Sequence, residues 1–304
     1  MDYVLRTYGL CKYYKDFKAL SGLTMNVPKG AIYGFVGRNG AGKTTLIRLV
    51  CGLQMKTDGS FELFGVKDSD GDISEARSRI GAVVEAPSVF PEMTAEENLR
   101  YQYRLLGMPD CKGIPELLKL VGLENTGKKK AKDFSLGMRQ RLGIAIALCG
   151  DQDLLILDEP INGLDPQGII EVRELILKLN RERKITFIIS SHILDELAKL
   201  ATHYGFIDSG HIVREMSAEE LENACRKSLK VCVTDTAALA RVLDGMGLEY
   251  TITDDRSADI YGRPNISDLV FALDKEHCRL DSCSEREENL EGFFISLVGG
   301  ESSE

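Results

Sequence analysis

Gly37-Arg38-Asn39-Gly40-Ala41-Gly42-Lys43-Thr44-Thr45 is the stretch that decides the fold. Gly37, Gly42, Lys43 and Thr44 fit the spacing G-x-x-x-x-G-K-[ST] of a phosphate-binding loop. Phosphate oxygens need many donors at close range, and glycines let successive backbone N–H groups converge on one anion. Gly37, Asn39, Gly40, Ala41, Gly42, Lys43, Thr44 and Thr45 are therefore the candidate phosphate-binding set. Lys43 adds a mobile positive charge for the β- and γ-phosphates, and Thr44 adds a hydroxyl for Mg²⁺. Ala31–Val36 before the loop is apolar and strand-like. Thr45–Val50 after it suits a helix whose positive N-terminus faces the phosphates.

Outward from the loop, the chain of 304 residues has room for one large domain and a small one. Hydrophobic residues make up 43% and charged residues 28%, as in soluble globular proteins. No apolar run approaches the roughly 20 residues that cross a bilayer. The first residues, MDYVLRTYGL, have neither a basic nor an apolar leader region, which points to the cytoplasm. Eight scattered cysteines form no C-x-x-C pair and read as reduced core residues. From Glu215 to Glu304 there are 20 acidic and 9 basic residues, so the acidity belongs to the C-terminal end. An acidic surface does not favour nucleic acid, and none is expected as a partner.

Tyr3–Tyr8 and Leu20–Val27 alternate as strands do, with the polar stretch Lys12–Lys18 between them. Gly59–Leu63 and Gly81–Val84 are short strand candidates, separated by the polar loop Lys67–Asp72. Thr94-Ala95-Glu96-Glu97 has the pattern of a capping box. Glu96–Leu106, Pro115–Val121 and Met138–Leu148 have helical apolar spacing, so about 86–150 reads as an inserted helical subdomain. Asp153–Leu157 and Ile185–Ile189 have the apolar character of strands buried in a parallel sheet. Gln167–Leu179 and Ile193–Leu200 are helical, and Tyr204–Asp208 and His211–Arg214 form a hairpin. Past Leu221 the character changes. Leu229–Val233, Glu249–Ile252 and His277–Asp281 read as strands, and Ala237–Leu243, Ser267–Leu273 and Glu287–Leu297 as helices. The expected division is 1–221 and a small α+β domain over 222–304.

The second decisive stretch is Leu154-Leu155-Ile156-Leu157-Asp158-Glu159-Pro160. It puts two carboxylates at the carboxyl edge of a parallel strand, beside the phosphate loop. Asp158 is placed to hold Mg²⁺ through water, and Glu159 to polarise a water attacking the γ-phosphate. Phe134-Ser135-Leu136-Gly137-Met138-Arg139-Gln140-Arg141 is another helix N-terminus with Ser and Gly donors, suited to a phosphate.

These motifs resemble, over roughly residues 4–215 and in order, the ATP-binding subunit of ABC transporters. The resemblance implies a phosphate-loop NTPase core, α/β in class, with an N-terminal antiparallel β subdomain and the inserted helical subdomain. It implies ATP hydrolysis with Mg²⁺, coupled to transport through separate transmembrane permease subunits, by a subunit peripheral on the inner face of the cell membrane. It implies a second ATPase subunit, expected as a homodimer, with Ser135 and Gly137 of one copy reaching ATP on the other. Tyr14 matches the aromatic that stacks on adenine, with Tyr13 its neighbour. Asp165, in Asn162-Gly163-Leu164-Asp165, matches the loop that contacts the partner. His192 matches the histidine that senses the γ-phosphate.

Two departures narrow the subgroup. Glu85 stands where the family usually has Gln, bringing an extra carboxylate to the metal. Leu136 and Met138 replace the usual Gly and Gln of the signature, while Ser135 and Gly137 are kept. Together they resemble exporters linked to bacitracin resistance and lantibiotic self-protection. Pro87, Val89, Phe90 and Pro91 lie where the family docks its permease, and Lys128–Lys132 reads as a solvated loop. The other reading is a soluble ABC ATPase acting on a ribosome or DNA. Ribosome-acting members carry two ATP modules and DNA-acting ones long coiled coils, and the sequence has neither.

Overall fold

The structure, a computed structural model, describes residues 2–299 apart from 109, 151, 226–227, 262–263 and 287–289. It divides into two compact units, Met1–Ala218 and Glu219–Glu304.

The first unit opens with the antiparallel pair β1 (Tyr3–Tyr14) and β2 (Phe17–Pro28). Both strands run on into the Lys12–Lys18 stretch, which is therefore strand and tight turn, not a separate loop. The reason is cross-strand pairing of its aromatics, Tyr13 opposite Lys18 and Tyr14 opposite Phe17, closed by Lys15 at φ 53°. β3 (Ile32–Val36), the phosphate loop and α1 (Lys43–Val50) follow. β4 (Asp58–Leu63) and β5 (Val66–Lys67) complete a four-stranded sheet, ordered β2-β1-β4-β5. α2 (Ile73–Ser78) then leads to β6 (Ile80–Val83). The polar Lys67–Asp72 stretch is turn from residue 68 on, as expected; β5 and α2, which flank it, were not expected because strand and helix alike are short and carry few buried residues.

Among the described residues, the α-helices between β6 and β7 (Leu154–Asp158) are α3 (Ala95–Leu105), α4 (Ile114–Leu120) and α5 (Leu136–Ala147). The capping box is made: Thr94 Oγ1 accepts from Glu97 N at 3.2 Å, and Glu97 Oε2 accepts from Thr94 N at 2.8 Å. α6 (Pro166–Arg183), β8 (Thr186–Ser191), α7 (Leu194–Ala198) and the hairpin β9 (His203–Asp208) with β10 (His211–Ser217) complete the unit. The second sheet is ordered β10-β9-β3-β8-β7-β6, parallel except for β10. β3, β7 and β8 are buried along their whole length, as strands covered on both faces must be. One core joins the two sheets across α1, with Leu10, Leu23, Phe35, Leu46 and Ile156 buried together. In register, Val36 lies opposite Ser191 and Asp158 opposite Ser190. The segments after β3, β7 and β8 therefore leave one edge of the sheet side by side.

α8 (Ala218–Ala224) spans the division. The second unit then runs β11 (Ser228–Val233), α9 (Thr236–Met246), β12 (Glu249–Asp254), β13 (Ser257–Tyr261), α10 (Ile266–Lys275), β14 (Leu280–Arg286) and α11 (Leu290–Gly299). Its sheet, ordered β12-β13-β11-β14, is wholly antiparallel, the split βαβ arrangement of ferredoxin-like domains. Leu229, Val231, Val233, Ala258 and Ile260 of the strands meet Leu239, Leu243, Leu269 and Leu273 of the helices in a separate core. β13 escaped the sequence reading because only Ala258 and Ile260 face that core. The strand expected at His277–Asp281 begins later, at Leu280, after His277 turns the chain at φ 55°. Of the helix expected over Glu287–Leu297, residues 287–289 lie outside those described.

Candidate active site

Gly42 starts α1 at φ 110°, and a Cβ there would lie 2.5 Å from the Ala19 carbonyl oxygen. Only glycine satisfies both demands, and it aims the helix N-terminus into the loop. Lys43 is buried, 6% exposed. Its Nζ donates to the Gly37 carbonyl at 2.6 Å and the Arg38 carbonyl at 3.3 Å, and lies 3.5 Å from Glu159 Oε1.

Both oxygens of the buried Asp158 carboxylate accept a hydrogen bond. Thr44 Oγ1 donates to Oδ2 at 2.8 Å, and Ser190 Oγ donates to Oδ1. Hydroxyl and carboxylate oxygens drawn together in this way are hard donors of the kind Mg²⁺ prefers, with its other positions left for phosphate and water. Among the described residues no cluster of three His, Cys, Asp or Glu forms a metal cage.

Glu159 follows β7 at φ 50°, the left-handed region, where a non-glycine residue is strained. Its backbone N donates to the Ser190 carbonyl at 3.1 Å and to Ser190 Oγ at 3.0 Å. That grip turns its side chain between Lys43 and His192, whose Nδ1 lies 2.8 Å from Oε2. An ionised carboxylate only accepts, so Nδ1 carries the proton. Lys43, Thr44, Asp158, Glu159 and His192, spread over 150 residues of sequence, thus form one connected set. Ser190, which bonds the Asp158 carboxylate and the Glu159 backbone, was not singled out from sequence. Its signal was Ser190-Ser191 at the end of an apolar strand, immediately before His192.

The remaining candidates stand apart from this set. The Tyr14 ring is 41% exposed, with Lys12 Nζ 5.0 Å from its centroid and its hydroxyl donating to Gln54 Oε1. Tyr13 instead carries Lys18, 5.6 Å from its ring centroid. Glu85, at φ 64°, is ion-paired with Arg48 of α1. Ser135 caps α5 by accepting from Met138 N at 3.2 Å, and Asp165 caps α6 by accepting from Gly168 N at 3.0 Å. Among the described residues no hydrogen bond or ion pair joins Ser135, Gly137 or Asp165 to the phosphate loop. Gly137 is a glycine the fold does not require. Its φ is not positive, and a Cβ there would meet Gly168 Cα at an ordinary 3.6 Å. Gly137 is the second residue of α5, where the helix gains nothing from glycine over alanine. The bare backbone therefore suits a close approach from outside.

The segment after Glu85 is tied down. Ala131 N donates to the Met93 carbonyl at 2.8 Å and Lys132 N to the Pro91 carbonyl at 2.9 Å. Lys130 and Lys132 hold Glu92 at 3.3 and 3.1 Å, and these lysines keep its carboxyl below the usual range. The lysine run is therefore a brace from this segment to the approach to Ser135, not simply a solvated loop. Phe90 stacks edge-on with Tyr101, centroids 4.8 Å apart, and both line a groove of about 420 Å³ with Val89, Leu105 and Ile146.

The sequence profile of ABC transporters matches residues 20–162. The bacitracin transport ATP-binding protein BcrA of Enterococcus faecalis is 39% identical over 308 residues, covering 99% of this chain and 98% of that protein. The chain belongs to the ABC transporter family. This ABC ATPase is also 43% identical to the lantibiotic transport ATP-binding protein SrtF of Streptococcus pyogenes, over 72% of its own length and 93% of SrtF. Among solved structures, the dimeric post-hydrolysis ATP-binding cassette MJ0796 with ADP and Pi matches at TM-score 0.62 and 25% identity, covering 70% of this chain and 98% of that one. CbiO1 of Clostridium perfringens, part of the transporter complex CbiONQ, matches at TM-score 0.65 and 25% identity, covering 81% and 97%. The ABC ATPase binds ATP and couples its hydrolysis to transport. Cassettes of this family dimerise and work with transmembrane permeases, and no described helix of this one is long and apolar enough to cross a membrane.

Proposed function

We propose that this ABC ATPase powers export of an antimicrobial peptide through a separate permease. The full-length similarity to a bacitracin transport protein supports the cargo class, together with Glu85 and the altered signature. Two copies clamp two ATP molecules, each between the phosphate loop of one copy and Ser135 and Gly137 of the other, with Asp165 at the shared boundary. The permease docks on the groove around Phe90. The working place is the inner face of the cell membrane, at that permease.

The observation that carries the hydrolytic reading is Glu159 held between Lys43 and His192. Tyr14 stacks on adenine. The amides of Gly37 and Asn39–Thr45, with Lys43, hold the phosphates. Thr44 and Asp158 would hold Mg²⁺, with Glu85 as a further carboxylate from the neighbouring strand end, and the ion would neutralise charge on the phosphates. Water oxygen attacks the γ-phosphorus, the bond to the β–γ bridging oxygen breaks, and the water proton passes to Glu159. His192 fixes the direction of the Glu159 carboxylate through Nδ1, leaving Nε2 to the γ-phosphate side.

Replacing Glu159 by Gln keeps the shape and removes the base, so phosphate release should fall by roughly 10²–10⁴-fold while ATP still binds. An unchanged rate would remove Glu159 from the chemistry. The same variant, trapped with ATP and Mg²⁺, should recover a polytopic membrane protein in stoichiometric amount from detergent-solubilised membranes. Recovery of soluble partners alone would sink the export reading.

A further inference from the structure

Glu85 and Arg48 are 37 residues apart in sequence, yet the Glu85 carboxylate is ion-paired with the Arg48 guanidinium. Arg48 is on α1, four residues after Thr44, so the two share a helix face about one 5.4 Å turn apart. Glu85 leaves the carboxyl end of β6, on the edge of the sheet that carries Asp158 and Glu159. A third carboxylate at that edge opposes a triphosphate by like charge, unless a cation neutralises it. Arg48 is such a cation. The strained φ of 64° at Glu85 shows that the chain holds this residue in place rather than letting it relax. Arg48 is anchored in turn: its carbonyl accepts from Leu53 N at 2.8 Å and Gln54 N at 3.3 Å, beside the Tyr14 hydroxyl contact.

We propose that Arg48 is a positioning residue for nucleotide binding: it holds the Glu85 carboxylate against α1, neutralises it, and so sets the nucleotide affinity of the Mg²⁺-free site. The proposal rests on the reading of this edge as the phosphate and metal site. Arg48 needs no contact with nucleotide for this role. It acts through Glu85, and it links occupancy at the phosphate loop to the segment Pro87–Met93 that begins two residues later.

The test is calorimetric binding of ADP to the full chain, with EDTA and with Mg²⁺. Arg48→Gln should weaken binding in EDTA about three- to fivefold, the upper end of the range for an exposed charge pair. Arg48→Lys should retain most of the affinity. In a Glu85→Gln background, Arg48→Gln should have no further effect. Equal weakening in both backgrounds overturns the proposal, since Arg48 would then act on the nucleotide or the fold directly. If Arg48→Gln does not fold, the swapped pair Arg48→Glu with Glu85→Arg decides: affinity restored relative to Arg48→Glu alone supports the pair, and no restoration overturns it. Titrating Mg²⁺ into the ADP complex of Glu85→Gln addresses the metal reading separately. Unchanged Mg²⁺ affinity there, with the coupling intact, supports the Arg48 role and removes Glu85 from the metal set.

Discussion

At the scale of single residues, the site is a set of side chains whose partners are already fixed. Ser190 Oγ donates to the Asp158 carboxylate and accepts from the Glu159 backbone N, so one hydroxyl holds a carboxylate and the backbone of its neighbour. Ser190→Ala removes the bond to the Asp158 carboxylate, while the Glu159 N keeps its bond to the residue-190 carbonyl; a side-chain hydrogen bond to a charged group is worth about 1.5–3 kcal/mol. The expected result is a lower kcat with ADP affinity nearly unchanged, read by steady-state kinetics beside calorimetry. Gly137→Ala should behave in the opposite sense to an ordinary core change. The isolated chain should be at least as stable as the parent, because the added Cβ meets only an ordinary contact, while ATPase activity should collapse if a partner copy approaches this glycine as proposed. Retained activity would show that the glycine serves no close approach. The thiols also separate. Burial pushes Cys51 and Cys149 up to about 12, while hydrogen bonds from Ser257 and Ser282 hold Cys232 below its ordinary value. At pH 8 a thiol of pKa about 12 is thiolate in about one part in 10⁴. Alkylation followed by mass mapping should therefore mark Cys232 well before Cys51 or Cys149.

At the scale of elements, caps do double duty. Asp165 both matches the partner-facing loop and closes α6 through Gly168, with Pro166 pre-set at the first helical position. Asp165→Ala should cost about 1 kcal/mol of stability through the lost cap, whatever it does at the boundary between copies. Denaturant titration reads the first effect, and ATP-dependent dimerisation by light scattering reads the second. A variant with full stability would show that the cap contributes nothing. The elements most legible in sequence were those whose pattern is local. The apolar runs gave β3, β7 and β8, and Thr94 with Glu97 gave the start of α3. β5, α2 and β13 were not legible, since each is short and is held by pairing or packing with segments distant in sequence.

At the scale of the whole molecule, the described residues of each unit hold a hydrophobic core built from strands and helices of that unit. Within the first unit, Tyr33 is fully buried, and its hydroxyl donates to Glu215 at 2.6 Å, while Glu215 also accepts from Asn26 N at 2.8 Å and Asn26 Nδ2 at 3.0 Å. This contact ties β3 to β10 and β2. Burial first, and then the Glu215 charge, raise the Tyr33 pKa well above its ordinary 10.0. The folded state thus keeps this proton more tightly than the unfolded chain does. Its contribution to stability is complete below pH 10 and is lost as pH rises beyond it. The thermal midpoint of the parent should fall steeply above that pH, and Tyr33→Phe should flatten the fall. An equal slope in both proteins would show that other groups govern alkaline unfolding.

The sequence by itself determined the phosphate loop, the pair Asp158–Glu159 at a strand end, the histidine after the next strand, and with them the family. These are short patterns in which neighbouring residues impose each other's geometry. Only the tertiary structure decided that Ser190 bonds the Asp158 carboxylate and the Glu159 backbone, that Arg48 holds Glu85, that the lysine run braces Glu92, and that the acidic C-terminal end is a split βαβ domain. Each depends on parallel strands or helices laid side by side from distant parts of the chain. The register that makes such neighbours is set by packing of whole elements, which no single stretch records.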